Sequence, residues 1–374
     1  MPKIFSRNYS RAELLRRVGH VHQIGGVRLL SSEDGPSRGV RYLEFRTGTG
    51  FNFEVAVERG FDVGRCEYRG ASLAWIPAHL LPGPWYFEQP TEFGWLRTAL
   101  GGLNNTCGLV HIGNPETDSV AHYNFPARPV ERYGVHDRAA MIPGQLVHCG
   151  QRWEGDDCII EAEGIVAQAQ TYGENLVLTR RYTARLGGSR FFMHDEVVNA
   201  GYLPTVHMLL YHINTGFPFV DDGSELVAPF GGAPKVLFGD ADPQRPEGYT
   251  RFIAPQKDWV QQTFQHLMLG DDDGRVPVAI VNPGLGSGGQ ALYVVYNRHQ
   301  FPNYIEWRMM GEGQYAVGVE PCTNGFGRDE VRRAGQLLVL QPGERRAYDL
   351  EVGVLDGADE IDAFRSRVKS ILDR

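Results

Sequence analysis

The chain has 374 residues, with 37 lysines plus arginines against 45 aspartates plus glutamates, for a formal charge of -8 at pH 7. That length can bury a large core, and without a basic stripe it lacks the positive footprint that a nucleic-acid partner requires. Its 46 glycines and 22 prolines follow no fibrous period, and its many valines, tyrosines and phenylalanines point to strands joined by turns.

The opening residues MPKIFSRNYSRAELLRR carry no apolar leader, and no run approaches the roughly 20 apolar residues that cross a bilayer. A cytoplasmic chain with no membrane partner is expected. Cys66, Cys107, Cys149, Cys158 and Cys322 are scattered without a CxxC pair, so free thiols are expected.

Ser10 to Gly19 has the spacing of a short amphipathic helix, with Ser10 and Glu13 placed as a capping box. From Val27 to Glu67, strand-like segments alternate with Gly-containing turns, as in an antiparallel meander. Within ERGFDVG, Arg59 either pairs with Asp62 to hold the loop or reaches a ligand oxygen. Ala74 to Pro90, rich in proline and aromatics, reads as an ordered wrapped loop. The apolar groups of Phe93 to Gly102 then lead into NNTCGLVHIG, where burial of Cys107 is favoured over a nucleophilic role. His136, Asp137 and Arg138 are consecutive at a turn, so they cannot all face one way.

Strands are expected over Gln145–Trp153 and Asp157–Ala169, followed by a hairpin around Gly187 and Gly188. Next comes VHMLLYHINTGFP, Val206 to Pro218, an apolar strand that ends in His212, Asn214 and a turn. Pro229, Gly232, Pro234, Pro243 and Pro246 mark a surface loop or lid. Strands resume over Trp259–Met268 and Val276–Val281 around the solvated turn Asp271–Gly274, which lacks the ligand spacing of a calcium loop. After Ala291–Asn297, the segment QYAVGVEPCTNGFG delivers Glu320 at a strand end. Two last strands, Leu337–Leu340 and Arg346–Val354, precede a helix from Asp356 to Asp373 with Ile361, Phe364, Val368, Ile371 and Leu372 on one face.

A histidine and a carboxylate presented at two strand ends form a candidate acid/base pair. Taken alone, they favour a structural reading, with His212 capping its strand and Glu320 anchoring the following turn. Asn214, Arg59, His299 and Gln300 are candidate hydrogen-bonding groups for a polar ligand, and Trp307 is a candidate stacking surface. Each has an ordinary alternative in packing or solvent exposure.

LLYHINTGFP and YAVGVEPCTNGFG, with RGFDVG, GGLNNTCGLVHIG, GVHDR, YGENLVLTRR and RHQFPNYIEW, resemble segments of the galactose mutarotase-like superfamily, and more closely a bacterial aldose 1-epimerase-like branch. The resemblance covers about residues 10 to 355 in order and implies a mostly β fold, a β-supersandwich with short peripheral helices, as one domain over residues 1–374. It implies that His212 stands at the general acid position, Glu320 at the general base position and His136 at a substrate-binding position, with His-Asp-Arg here in place of the family's His-Gly. The implied ligand is a small carbohydrate, and the implied reaction interconverts anomers by opening the hemiacetal ring, with no redox cofactor or metal needed. A metal-assisted epimerase, isomerase or lyase would instead bring His136, His212 or His299 together with Glu320. A carbohydrate-binding protein without turnover would need no opposed acid and base. A homo-oligomer is compatible with either.

Overall fold

The computed structural model describes residues 1–88, 92–124, 129–239 and 247–374. Three antiparallel sheets carry the architecture. The largest has eight strands, in spatial order Gln145–Glu154, Asp157–Ala169, Asn175–Arg185, Arg190–Asn199, Arg345–Asp356, Gln290–Asn297, Arg275–Asn282 and Glu225–Val227. A six-stranded sheet runs Lys235–Phe238, Gln262–His266, Asn303–Gly311, Gln314–Cys322, Met208–Gly216 and Asn104–Leu109. A five-stranded meander, Gly26–Ser31 through Ala71–Ser72, completes the set. The mostly β supersandwich expected from the sequence is therefore the observed fold. Among the described residues, no helix is long and apolar enough to cross a membrane.

The strands follow from alternation. Asn175–Arg185 and Arg190–Asn199 bury every second residue and pair around Gly187, whose φ of 83° lies in the left-handed region that glycine adopts without strain. Met208–Gly216 is buried at all nine positions. Leu209, Tyr211 and Ile213 enter the main core between the sheets, while Met208 and Leu210 join a second cluster with Trp95, Cys107, Ile305 and Cys322. Both faces of this strand are thus covered, which explains its unbroken apolar run.

A buried charge network ties the sheets together. Arg180, fully buried, donates through Nε and Nη2 to the two Asp195 oxygens at 2.8 and 2.6 Å and also pairs with Asp62. Asp62 accepts from the Thr106 backbone N–H at 2.7 Å, and the Tyr211 hydroxyl donates to Asp195. Asp62 of the meander therefore bonds to Arg180 and not to the Arg59 guanidinium, as one reading of that loop expected.

Several local expectations are refined. The Ser10–Glu13 capping box is present, but its helix covers only Arg11–Leu15. The final helix is Ala358–Leu372; it buries Ile361, Phe364, Val368 and Ile371 and leaves Leu372 46% exposed. Part of the expected loop or lid is the edge strand Lys235–Phe238, and Pro243 and Pro246 lie outside the described residues. The strand expected over Trp259–Met268 contracts to Gln262–His266. All five cysteines are free, and burial pushes the Cys107 thiol well above its ordinary range.

Candidate active site

His212 and Glu320 lie on neighbouring strands of the six-stranded sheet. The register pairs Leu210 with Cys322 and Asn214 with Gly318, so the two residues between them, His212 and Glu320, share one face. His212 Nε2 is 3.2 Å from Glu320 Oε1, with the two residues only 4% and 1% exposed. Glu320 Oε1 and His212 Nδ1 are both buried without a hydrogen-bond partner. Gly318 supplies room for the carboxylate, because a Cβ there would stand 2.2 Å from Glu320 Oε1 and 3.2 Å from His212 Cε1.

Burial sets the charge state. It pushes His212 down to about 4, with the Asn214 side chain acting weakly the other way. It pushes the Glu320 carboxyl well above the usual range, and the Glu306 carboxylate on the adjacent strand adds to the rise. Burial thus disfavours the charged form of both groups, the imidazolium of His212 and the carboxylate of Glu320.

His136 reaches the same place from a strained turn. Its φ of 53° and that of Asp137, 55°, both fall in the left-handed region, which is costly for residues with a Cβ. The two side chains consequently diverge. The His136 ring meets His212 edge-on at 5.7 Å, and its Nδ1 accepts from the Gly113 N–H at 3.3 Å. Asp137 instead accepts from Gln168 Nε2 at 2.6 Å and borders a cavity of about 590 Å³ that neither His212 nor Glu320 lines. Burial keeps His136 well below its ordinary value.

Aromatic rings enclose the pair. Trp307, opposite Gly318 in the register, meets His212 at 5.5 Å and Trp75 at 5.9 Å, and its Nε1 donates to Gln261 at 2.7 Å. Phe326 packs on His136 at 5.9 Å. Asn214 lies on the same face as His212, with its Nδ2 committed to the carbonyls of His212 and Gly102 and to Asn105 Oδ1.

Three expected ligand contacts lie elsewhere. Arg59 is 2% exposed, and its guanidinium donates to the carbonyls of Pro82, Thr98 and Ala99, so it braces loops and is not free to meet a ligand. Gln300 exchanges hydrogen bonds with Asp349 of the eight-stranded sheet. His299 packs over Gly274 beside the same sheet. The metal set that included His299 therefore does not converge, and among the described residues no group of three potential ligands is placed to hold a metal ion. Trp95, which the sequence did not single out, contacts both His136 and His212. Its only sequence signal was an aromatic residue just ahead of the NNTCGL strand.

Known proteins share this architecture. A provisionally named aldose 1-epimerase of Klebsiella pneumoniae superposes with a TM-score of 0.82 at 22% identity, covering 92% of this chain and 87% of the other. A galactose mutarotase-like protein of Clostridium acetobutylicum gives a TM-score of 0.60 at 12% identity over 89% of this chain and 99% of its own. Galactose 1-epimerase of Lactobacillus acidophilus gives 0.55 at 13% over 89% and 99%. No curated protein matches the sequence. At these identities the likeness establishes the galactose mutarotase-like fold. Residues 37–354 match the family model described as a domain of unknown function, DUF4432, and the chain belongs to that family.

Proposed function

We propose that this protein is an aldose 1-epimerase-like isomerase that interconverts sugar anomers by opening and closing the hemiacetal ring. The observation that carries the reading is the buried His212–Glu320 pair at 3.2 Å, with both groups keeping an unpartnered polar atom. Ring opening removes the proton of the anomeric hydroxyl and places one on the ring oxygen. One group that takes a proton and one that gives a proton, this close together, match that stoichiometry.

Burial favours the uncharged form of each group, so in this reading Glu320 starts with the proton. A sugar hydroxyl donating to the carboxylate favours its ionised form and moves the proton to the imidazole. His212 then gives it to the ring oxygen as the ring C–O bond breaks, while Glu320 takes the anomeric proton as the C=O bond forms. Rotation about the C1–C2 bond presents the other carbonyl face, and the reverse transfers close the ring to the other anomer. Trp307 and Trp75 offer apolar faces of the kind that stack on a pyranose. No step requires a redox cofactor or a metal.

The test is anomer exchange followed by polarimetry and by NMR on a panel of aldoses. His212→Asn and Glu320→Gln are each expected to lower the rate by at least about 100-fold in folded protein, the usual scale for removing a general acid or base. Saturable sugar binding without accelerated exchange would instead identify a carbohydrate-binding protein.

A further inference from the structure

Trp95 opens the short helical turn Trp95–Thr98 and is 3% exposed. Its ring lies 4.8 Å from that of His136 and 5.6 Å from that of His212, so one indole spans both histidines. Its Nε1–H is buried and has no acceptor. An unpartnered buried donor is costly, and alone it would mark only a local defect. Here the ring that carries it stands against His212, and His212 Nδ1, Asn214 Oδ1 and Glu320 Oε1 are likewise buried without a hydrogen-bond partner. The neighbouring tryptophan Trp307, by contrast, has its N–H satisfied by Gln261.

The turn that carries Trp95 is fastened from below. Arg59 donates to the carbonyls of Thr98 and Ala99, at the end of the turn, and to Pro82. Asn105, which faces His212 across the sheet, donates from Nδ2 to the Ala99 carbonyl at 2.9 Å and accepts the Gly101 N–H at 2.9 Å. Asn214 bonds to Asn105 in turn. The indole is thus referenced through Asn105 and Asn214 to the strand that carries the candidate acid.

We propose that Trp95 is a substrate-binding residue whose indole N–H donates a hydrogen bond to an oxygen of a neutral aldose bound over His212 and Glu320. The inference rests on the sugar-isomerase reading of the same site. The indole adds a fixed donor beside the two proton-transferring groups, and its ring closes the site against water. A site built to pair with a particular oxygen rejects the analogue that lacks it, because the donor is then left unpaired in a dry environment. Trp95 is therefore a specificity-determining contact and takes no part in proton transfer.

The test uses the full chain labelled with 15N at its tryptophan side chains. The Trp95 indole resonance is assigned by its absence in Trp95→Phe and, independently, by through-bond correlation in the unmodified protein. D-galactose, D-glucose and their 2-deoxy and 6-deoxy analogues are then titrated. The expected result is a downfield shift of the Trp95 N–H with at least one parent sugar. Trp95→Phe, which keeps a ring but loses the donor, is expected to weaken binding of that sugar about tenfold. The loss should vanish for the deoxy analogue that lacks the accepting oxygen. A Trp95 resonance unmoved by every sugar in the panel, or Trp95→Phe binding within twofold of the unmodified protein, overturns the proposal. Anomer exchange with an unmoved resonance removes the Trp95 role and leaves the isomerase reading intact. A shifted resonance with no exchange does the reverse.

Discussion

Gly318→Ala separates the position of the candidate base from the integrity of the fold. The new Cβ would stand 2.2 Å from Glu320 Oε1, and ordinary contact begins near 3.4 Å, so the oxygen must retreat by about 1.2 Å. The atom that yields is the far end of a flexible side chain. Gly318 also lies within a strand and outside the left-handed region, so its backbone accepts a side chain. Replacing a strand glycine by alanine recovers roughly 0.5–1 kcal/mol of backbone entropy, which offsets part of the crowding. Catalysis is less forgiving, since a misplacement of about 1 Å costs on the order of 100-fold in rate, or about 2.7 kcal/mol. The expected outcome is a melting temperature within a few degrees of the unmodified protein and an exchange rate lowered at least about 30-fold on the sugar it turns over best. Exchange within twofold of normal in folded Gly318→Ala protein would refute the placement of Glu320 at the reacting centre.

Arg180→Met should destabilise the fold by about 3–5 kcal/mol in urea denaturation, because Asp62 and Asp195 would remain buried without their shared cation; a change under 1 kcal/mol would contradict that account. His212 stays neutral in the fold down to about 4 against an ordinary 6.5, so between those values the unfolded chain binds more protons and stability falls as pH falls. The loss through that window is about 3 kcal/mol; stability curves of His212→Asn and the unmodified protein should converge toward the acid end, and parallel curves would count against the buried neutral imidazole. The raised Glu320 carboxyl acts in the opposite sense, giving stability that is lost as pH rises above the ordinary carboxylate range. His299→Ala and Gln300→Ala should change anomer exchange less than twofold, since both residues sit by the eight-stranded sheet; a tenfold loss from either would place the sugar elsewhere.

The two segments that carry the candidate pair were legible because each is locally encoded. Leu209, Leu210 and Tyr211 form an apolar run that only a strand covered on both faces accommodates, and it ends in a histidine that such a run does not need. The Ser10–Glu13 box and the apolar face of the last helix were equally local, although the first helix proved shorter than its pattern because Gly19 and its neighbours adopt other turns. Polar residues in loops were harder to place. Arg59, His299 and Gln300 carry side chains suited to sugar hydroxyls, but side-chain type does not say which backbone carbonyl or carboxylate lies within reach.

The sequence alone determined the mostly β class, the strands bearing His212 and Glu320, and the family resemblance that paired them, since alternation, turn chemistry and motif order are properties of neighbouring residues. The tertiary structure decided what depends on distant segments meeting. It set His212 against Glu320 at 3.2 Å, turned His136 toward them and Asp137 away, and committed Arg59 to three carbonyls. It also lowered His212 and raised Glu320, because the free energy of a charge depends on how much water the surrounding strands and rings exclude, and no local pattern encodes that exclusion.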